Sequence, residues 1–193
     1  MKDADVLNIF RDSKALLEGH FLLSSGLHSP VYLQCARVLM DPKRAETLCA
    51  ALAEKVRAQV ERIDLVVAPA MGGVIVGYEM ARQLGVNGIF TERVDGKFQV
   101  RRGFEIPLGA RVLMVEDVVT TGLSSRECIK TIRDFGGFVV AATSLIDRSN
   151  GTVDLGVPYI PLVSIDAPTY EADKLPPKLA AIEAIKPGSR GLK

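Results

Sequence analysis

The apolar residues of the chain follow two periods, one helical and one typical of strands. Near the start, helical spacing predicts a helix over residues 4–19, with an apolar face of Val6, Leu7, Phe10, Leu16 and Leu17. Residues 20–34 are interrupted by Gly26 and Pro30, and we expect turns and a short strand there. Asp41 and Pro42 predict the start of a second helix, because a carboxylate suits the N-cap and proline suits the first helical position.

Farther along, short apolar runs replace the helical pattern and predict the strands of a sheet. The runs are residues 64–70, 88–90, 111–117, 138–147 and 159–166. Several are continuously apolar rather than alternating, as in parallel strands that are covered on both faces. Helical segments at 73–84 and 123–135 lie between them. The pattern therefore predicts an α/β fold with a parallel sheet flanked by helices.

Composition narrows the class of protein. With 193 residues, 48% of them hydrophobic, the chain can bury one sizeable core, and we expect one domain with a terminal elaboration. The formal net charge of +1 disfavours duplex nucleic acid as a partner. No apolar stretch is long enough to span a bilayer and the first residues lack a signal-peptide core, so we expect a cytoplasmic protein with no membrane partner.

The cysteines and histidines give no sign of a metal site. Cys35, Cys49 and Cys128 are far apart and form no Cys-x-x-Cys pair, which argues against a disulfide framework or bound zinc. We expect them to serve as small apolar residues. His20 and His28 have no metal-ligand spacing, and we expect structural roles for them.

One stretch joins two carboxylates to a turn rich in hydroxyl groups. Glu116 and Asp117 close an apolar run, and residues 120–125, which we call the phosphate turn, precede a predicted helix. The backbone N–H groups at a helix N-terminus bind anions, and threonine and serine hydroxyls add donors. The carboxylates repel a phosphate but can accept hydrogen bonds from hydroxyls or coordinate a hydrated cation. A sugar phosphate satisfies both halves of the stretch.

Each half of this stretch also has an ordinary structural explanation. Threonine and serine often cap helices, and carboxylates often solvate the ends of strands. It is the adjacency of the two halves that favours a binding site. The chain contains neither the Gly-x-Gly-x-x-Gly nor the Gly-x-x-x-x-Gly-Lys-Ser/Thr fingerprint of other nucleotide-binding proteins.

VLMVEDVVTTGLS, residues 112–124, resembles the phosphoribosyl pyrophosphate motif of the type I phosphoribosyltransferases. Flanking segments are similar to the orotate-specific members of that family along nearly the whole chain. These segments are GHFLLSSGLHSPVYLQ at 19–34, APAMGGV at 68–74, ERVDGKFQVRRGFE from 92, SLIDRSNG at 144–151, PTYEAD at 168–173 and KPGSRGL at 186–192. The resemblance implies a type I phosphoribosyltransferase-like parallel sheet flanked by helices, with a core of residues 41–166 and a small hood built from the N-terminal segment 1–40 and the C-terminal tail 167–193.

The resemblance also implies a reaction. N1 of orotate attacks the anomeric carbon of phosphoribosyl pyrophosphate and releases pyrophosphate, with Mg²⁺ held mainly by the substrate pyrophosphate and not directly by the protein. Glu116, Asp117 and Lys97 are implied as catalytic residues, the two carboxylates acting on the ribose hydroxyls. The implied substrate contacts are Met71 and Gly72 for pyrophosphate, Thr120 and Arg148 for orotate, Arg93 with Lys97 for loop closure, and Val118, Val119, Thr120, Thr121, Gly122, Leu123 and Ser124 along the motif.

Two basic features have a physical interpretation of their own. Residues 92–104 carry Arg93, Lys97, Arg101 and Arg102 between glycines, and a mobile basic loop can cover a pyrophosphate leaving group and exclude water. A charged hairpin tip is the structural alternative. Arg148 follows a predicted strand, where a guanidinium can grip a carboxylate through two parallel hydrogen bonds. Its alternative is a surface ion pair with Asp147, which would stabilise little.

In the family the loop closes over the neighbouring subunit's site, which implies a homodimer whose loop 92–104 completes the neighbouring site. This chain differs from the family pattern at Ser24, Val94 and Gln99, where many members carry basic residues. We assign no role to these three residues. Two alternatives remain open. A purine phosphoribosyltransferase would keep the motif, and a non-catalytic regulator would bind the sugar phosphate without turning it over.

Overall fold

The computed structural model describes residues 1–23 and 25–187. Ser24 and the tail motif from residue 188 onward therefore lie outside the described residues. The helices are α1 (Asp3–Asp12), α2 (Ala36–Leu39), α3 (Pro42–Arg57), α4 (Gly73–Leu84), α5 (Leu123–Asp134) and α6 (Pro177–Ala180). The strands are β1 (Leu16–Leu22), β2 (His28–Leu33), β3 (Leu65–Pro69), β4 (Asn87–Val94), β5 (Lys97–Val100), β6 (Arg111–Val119), β7 (Phe138–Asp147) and β8 (Tyr159–Ser164).

A six-stranded sheet with the order β5-β4-β3-β6-β7-β8 forms the centre of the protein. In this order, neighbouring strands from β4 through β3, β6 and β7 to β8 pair in parallel. Strand β5 joins the edge as the antiparallel partner of β4. The apolar core on one face contains α3 and α4, and the core on the other face contains α5. The predicted α/β fold with a mostly parallel sheet flanked by helices is confirmed.

The strand order places a natural binding crevice between β3 and β6. After β3 the chain continues to β4 on one side, and it later crosses to β6 on the other side of β3. Ligands of open α/β sheets bind at such a switch point, beyond the carboxyl ends of the two strands. The loop that follows β3 and the phosphate turn that follows β6 meet there.

Alternation along β6 decides which way each of its side chains points. Leu113 and Val115 belong to the core beside α3 and α4, whereas Val112 and Met114 belong to the core beside α5. Successive strand residues face opposite sides of a sheet. Residue 116 therefore points towards α5, and residue 117 points towards the side of α3 and α4.

The first helix is shorter than its apolar spacing predicts. It ends at Asp12, and the prediction of a helix through residue 19 is wrong. Lys14 adopts a left-handed conformation with φ of 55°, which stops the helix, and the chain then extends into β1. Leu16 pairs with Leu33 of β2, so Leu16 and Leu17 are strand residues that matched a helical spacing by coincidence.

The β1–β2 hairpin is fastened to the later part of the chain. His20 Nε2 lies 2.6 Å from His28 Nδ1, and His20 Nδ1 lies 2.7 Å from the carbonyl oxygen of Ile182. Backbone bridges join Phe21 to Ile185 and His28 to Tyr170. The two histidines thus have the structural role expected of them. Within the described ranges, no helix has both the length and the apolar character needed to cross a membrane.

Candidate active site

Glu116 and Asp117 lie inside β6 and not beyond its end. The strand continues to Val119, two residues past the predicted end of the apolar run. Both carboxylates therefore stand at the carboxyl end of a central strand, on opposite sides of the sheet. Glu116 contacts Ser125 in the first turn of α5, and Asp117 lies against Gly72 at the start of α4.

Burial makes Glu116 an unusual carboxyl group. Its side chain is 8% exposed, and desolvation, with a smaller contribution from the nearby charge of Asp117, raises its pKa to about 8. A hydrogen bond from Ser125 opposes the shift. Among the described residues, Oε2 of Glu116 has no hydrogen-bond partner. A buried polar atom without a partner is costly, and a ligand hydroxyl at this position would satisfy it.

Asp117 is held more firmly than its neighbour. Its Oδ1 accepts a hydrogen bond from the backbone N–H of Val118 at 2.8 Å. Burial raises its pKa, while that backbone bond and a hydrogen bond from the Cys35 thiol lower it. Gly72 leaves room for the carboxylate, because a Cβ at that residue would lie 2.8 Å from Oδ1. The carboxylate is thereby placed beside the loop that follows β3.

The phosphate turn forms a small cavity at the N-terminus of α5. The cavity has a volume of about 240 Å³ and is lined by Glu116, Val118, Val119, Thr120, Thr121, Gly122, Leu123, Ser124 and Ser125. Gly122 is the N-cap, with φ of 74°, a left-handed conformation that glycine adopts without strain. The hydroxyl of Thr121 accepts a long hydrogen bond, 3.4 Å, from the N–H of Leu123. The turn thus surrounds a concave space with hydroxyls and the open end of a helix.

The loop after β3 brings Met71 and Gly72 to the opposite side of the same crevice. Met71 is exposed, Gly72 is the N-cap of α4, and the peptide between Ala70 and Met71 is cis. The N–H of Ala70 donates to the carbonyl of Thr91 in β4, which fixes the start of the loop. Exposed backbone at the N-terminus of α4 is available to an anion at this position.

Arg148 lies at the end of β7, beside a larger cavity. This cavity has a volume of about 540 Å³ and is lined by Leu23, Ser25, Leu27, Tyr32, Thr120, Thr121, Arg148, Ala167, Thr169 and Pro187. The N–H of Arg148 donates to the carbonyl of Val119, so the residue is tied to β6. Within the described chain, its Nε has no hydrogen-bond partner, and burial lowers the pKa of the guanidinium.

The interpretation of Arg148 as half of a surface ion pair is wrong. The carboxylate of Asp147 is fully buried and accepts hydrogen bonds from the backbone N–H groups of Ser149 and Gly151 and from the hydroxyls of Ser149 and Ser164. These contacts organise the turn after β7. Asp147 therefore shapes the loop, and the guanidinium of Arg148 is left facing the cavity.

The basic segment 92–104 begins as a hairpin. β4 and β5 are joined by Asp95 and Gly96, both with positive φ, and Val94 pairs with Lys97 across the turn. Lys97 is exposed, whereas Arg93 donates to Glu127 of α5 at 2.5 Å and lies 4.3 Å from the ring centroid of Phe98. Residues 92–100 are thus paired strands and a tight turn. The closure of residues 92–104 over substrate stays a prediction.

Several residues that line the site were not predicted as site residues. Cys35, Tyr32 and Thr169 come to the site from the β2–α2 connection, from β2 and from the segment after β8. Tyr32 and Thr169 lie in the family-like segments 19–34 and 168–173, but those segments do not show which of their side chains reach the cavity. The spacing of apolar residues in β2 is a further local signal, and it does not reveal which side chain faces a ligand.

Comparison with known proteins agrees with this geometry. The family described as "Phosphoribosyl transferase domain" matches residues 39–166. The chain is 62% identical over 191 residues to "Orotate phosphoribosyltransferase" of Novosphingobium aromaticivorans, covering 98% of both chains. It is 58% identical over 193 residues to the protein of the same name from Caulobacter vibrioides, covering 100% of both.

A solved structure supports the same placement. The crystal structure of orotate phosphoribosyltransferase from Aeropyrum pernix matches with a TM-score of 0.71 and 29% identity, over 83% of this chain and 93% of that one. A family match over most of the chain and relatives of this identity along its whole length leave one assignment. The chain belongs to the phosphoribosyl transferase family and, within it, to the orotate phosphoribosyltransferases.

Proposed function

We propose that this chain transfers the 5-phosphoribosyl group from phosphoribosyl pyrophosphate to N1 of orotate, giving orotidine 5′-phosphate and pyrophosphate. This is the reaction that the names of the full-length relatives describe. It is a pentosyl transfer and a step of pyrimidine biosynthesis. The alternatives of a purine enzyme or a non-catalytic regulator are disfavoured by the identity of 62% to an orotate enzyme.

One observation carries the assignment of the site. Two buried polar atoms of the described residues lack hydrogen-bond partners, Oε2 of Glu116 and Nε of Arg148, and their residues line two cavities that share Thr120 and Thr121. The first can bind a ribose hydroxyl and the second can bind an anionic or carbonyl oxygen of orotate. Between them lies the phosphate turn, which offers backbone N–H groups and hydroxyls to a phosphate.

We assign the acidic residues to the ribose. With a pKa of about 8, Glu116 carries a proton at neutral pH and can donate to one hydroxyl oxygen, while its other oxygen accepts. Asp117 can accept from the second hydroxyl, on the other side of β6. Thr120 to Ser124 take the 5′-phosphate, and Val118 and Val119 contribute backbone to the same stretch.

We assign the leaving pyrophosphate to Met71 and Gly72 at the start of α4. The described residues contain no cluster of three or more histidine, cysteine or acidic side chains that could hold a metal ion. We propose that Mg²⁺ is carried mainly by the substrate pyrophosphate, with the Asp117 carboxylate beside the loop as an available oxygen ligand. Bound in this way, Mg²⁺ supplies positive charge to the pyrophosphate as it leaves.

Lys97 and Arg93 belong to the proposed lid. Lys97 is exposed at the hairpin turn, where its ammonium is free to reach a pyrophosphate held at a nearby site. Arg93 is occupied by Glu127, so its participation requires that ion pair to open. An exposed pair of this kind is worth little, about 0–1 kcal/mol, and opening it costs little.

We propose a cytoplasmic homodimer in which the hairpin completes the neighbouring site. Ile75 and Tyr78 are exposed on α4 three residues apart, which places them on one helix face, and Met71 is exposed in the loop just before the helix. An apolar face beside the crevice suits contact with a second copy, since such faces mark interaction sites. Dimerisation would bring the hairpin of one protomer towards the crevice of the other.

The experiment follows orotate by its ultraviolet absorbance in a mixture of purified protein, Mg²⁺ and phosphoribosyl pyrophosphate, with adenine and hypoxanthine in parallel. We expect orotate to be consumed only when both Mg²⁺ and phosphoribosyl pyrophosphate are present. Consumption of a purine instead would overturn the base assignment, and the Arg148 assignment with it. Binding of the sugar phosphate with no turnover of any base would favour the regulator.

A further inference from the structure

Arg126, in the first turn of α5, has no place among the proposed substrate contacts, yet it is bound to the phosphate turn from behind. Its Nη2 donates to the carbonyl oxygen of Thr121 at 2.9 Å, and its Nη1 donates to the carbonyl oxygen of Asp154 at 2.9 Å. The planar guanidinium therefore joins the turn to the loop before β8. Charge-assisted bonds of this kind are stronger than bonds between neutral groups.

The bond to Thr121 fixes the direction of one peptide unit. In a trans peptide the C=O and the following N–H point in opposite directions. Because the carbonyl of Thr121 points to Arg126, the N–H of Gly122 points away from Arg126. Gly122 has φ of 74°, and a Cβ there would meet Arg126 Nη1 at 2.9 Å and Val153 and Leu155 at 2.6 Å. The back of the turn is thus closed by side chains, and the N–H of Gly122 points to the opposite side.

We infer that Arg126 is a positioning residue for the 5′-phosphate, acting on the turn without touching the substrate. This inference rests on the proposed function. The guanidinium holds the Thr121–Gly122 peptide in the orientation that presents its N–H to the phosphate, and its positive charge draws electron density from the carbonyl and so strengthens the N–H as a donor. The Asp154 carbonyl keeps the guanidinium itself in place.

The test uses two variants and a matched control on the same helix. Arg126→Met keeps the length of the side chain but removes every donor, and Arg126→Lys keeps the charge and one donor group. Arg133→Met is the control, because Arg133 also lies on α5 and donates to a carbonyl of the same loop, that of Gly156 at 3.1 Å. That bond does not involve the phosphate turn.

Binding of orotidine 5′-phosphate and of pyrophosphate to the full chain is measured by calorimetry, together with the KM for each substrate. In Arg126→Met we expect the affinity for orotidine 5′-phosphate to fall about tenfold, and the KM for phosphoribosyl pyrophosphate to rise similarly. The affinity for pyrophosphate alone and the KM for orotate should stay within about twofold. Arg126→Lys should recover part of the loss, and Arg133→Met should behave as the wild type.

The outcomes separate this inference from the proposed function. If both Arg126 variants bind orotidine 5′-phosphate as tightly as the wild type does, the inference is overturned and the proposed function stands. Equal losses for orotidine 5′-phosphate and pyrophosphate, or an equal loss in Arg133→Met, would reduce Arg126 to a general structural contact and overturn it too. No binding of orotidine 5′-phosphate by the wild type would overturn the proposed function, and the inference would fall with it.

Discussion

The carboxylate of Asp117 occupies the space in which residue 72 would carry a side chain. A Cβ built on Gly72 would lie 2.8 Å from Oδ1 and 2.9 Å from Oδ2. The proposed ribose and pyrophosphate contacts are thus in direct contact with each other, at the ends of β6 and β3.

Substitution of Gly72 by alanine should therefore damage the site without damaging the fold. Gly72 has φ of −57°, a conformation that alanine adopts easily, so the backbone is not strained. The added methyl must displace the Asp117 carboxylate, and we expect kcat/KM for phosphoribosyl pyrophosphate to fall at least about tenfold. Steady-state kinetics and a thermal melt provide the measurement. In an Asp117→Ala background the same change should cost little more, and additive losses would refute the steric explanation.

Glu116 predicts a pH-dependent stability. Because its folded pKa, about 8, is above the ordinary value of 4.5, its contribution is present below pH 4.5 and is lost as the pH rises towards 8. Glu116→Gln lacks this loss. We expect the variant to gain stability over the wild type between pH 5 and pH 9, by on the order of 4 kcal/mol. Urea denaturation at both pH values measures the gain.

The control for this experiment is Glu54→Gln, which replaces an exposed carboxylate on α3. A pH-independent difference between Glu116→Gln and the wild type would show that Glu116 is not a buried acid with a raised pKa. A gain that appears only at low pH would reverse the sign of the argument and would contradict it equally.

Arg148 should matter for orotate far more than for the sugar phosphate. Arg148→Ala removes a guanidinium that faces the larger cavity, and we expect the KM for orotate to rise about a hundredfold, with a change of about threefold or less for phosphoribosyl pyrophosphate. Arg111→Ala is a suitable control, because Arg111 is the first residue of β6, at the end of the strand opposite to the candidate site. Equal losses for the two substrates would remove the assignment of Arg148 to the base.

Lys97 should affect turnover and not folding. Its side chain is exposed at the hairpin turn, so Lys97→Ala should melt as the wild type does. If Lys97 neutralises the leaving pyrophosphate, kcat should fall on the order of a hundredfold. Lys130→Ala, which removes an exposed lysine of α5, provides the comparison. Unchanged kcat would make the segment an ordinary surface hairpin.

Mixed dimers test whether the hairpin acts on the neighbouring site. Lys97→Ala and Arg148→Ala are each expected to be weakly active alone. If Lys97 serves the partner's site, a hybrid of the two has one site with both residues intact, and about a quarter of wild-type activity should return in a 1:1 mixture after subunit exchange. Activity that stays at the mean of the two variants would place Lys97 at the site of its own subunit.

The elements that sequence predicts best are those with an unbroken apolar run or a clear amphipathic period. Helix α4 and strand β7 have the predicted bounds, and Asp41 caps α3 by accepting a hydrogen bond from the N–H of Lys43. A continuous apolar run fits a strand that is buried on both faces of a parallel sheet. A clear amphipathic period fits a helix that packs on that sheet. The structure at the beginning of the chain is harder to predict, because Leu16 and Leu17 fit both a helical period and a strand.

The residues of the candidate site also differ in how well the sequence predicts them. Glu116, Asp117 and the phosphate turn are separated only by Val118 and Val119, so their juxtaposition is already present in the sequence. Tyr32 and Thr169 are far apart in the chain and line one cavity only because the hairpin and the segment after β8 fold over the sheet. Local spacing carries no information about such a meeting.

The contact between His20 and the carbonyl of Ile182 spans 162 residues, and it sets an order of events during synthesis. At 5–20 residues per second, a ribosome needs on the order of ten to thirty seconds to add the residues between these two partners. During that interval β1 and β2 have emerged but lack the segment to which they are fastened, while α3, β3 and the later core can already assemble. We therefore expect the cavity beside Arg148, the proposed place for the base, to be the last part of the candidate site to close, after the phosphate turn has formed.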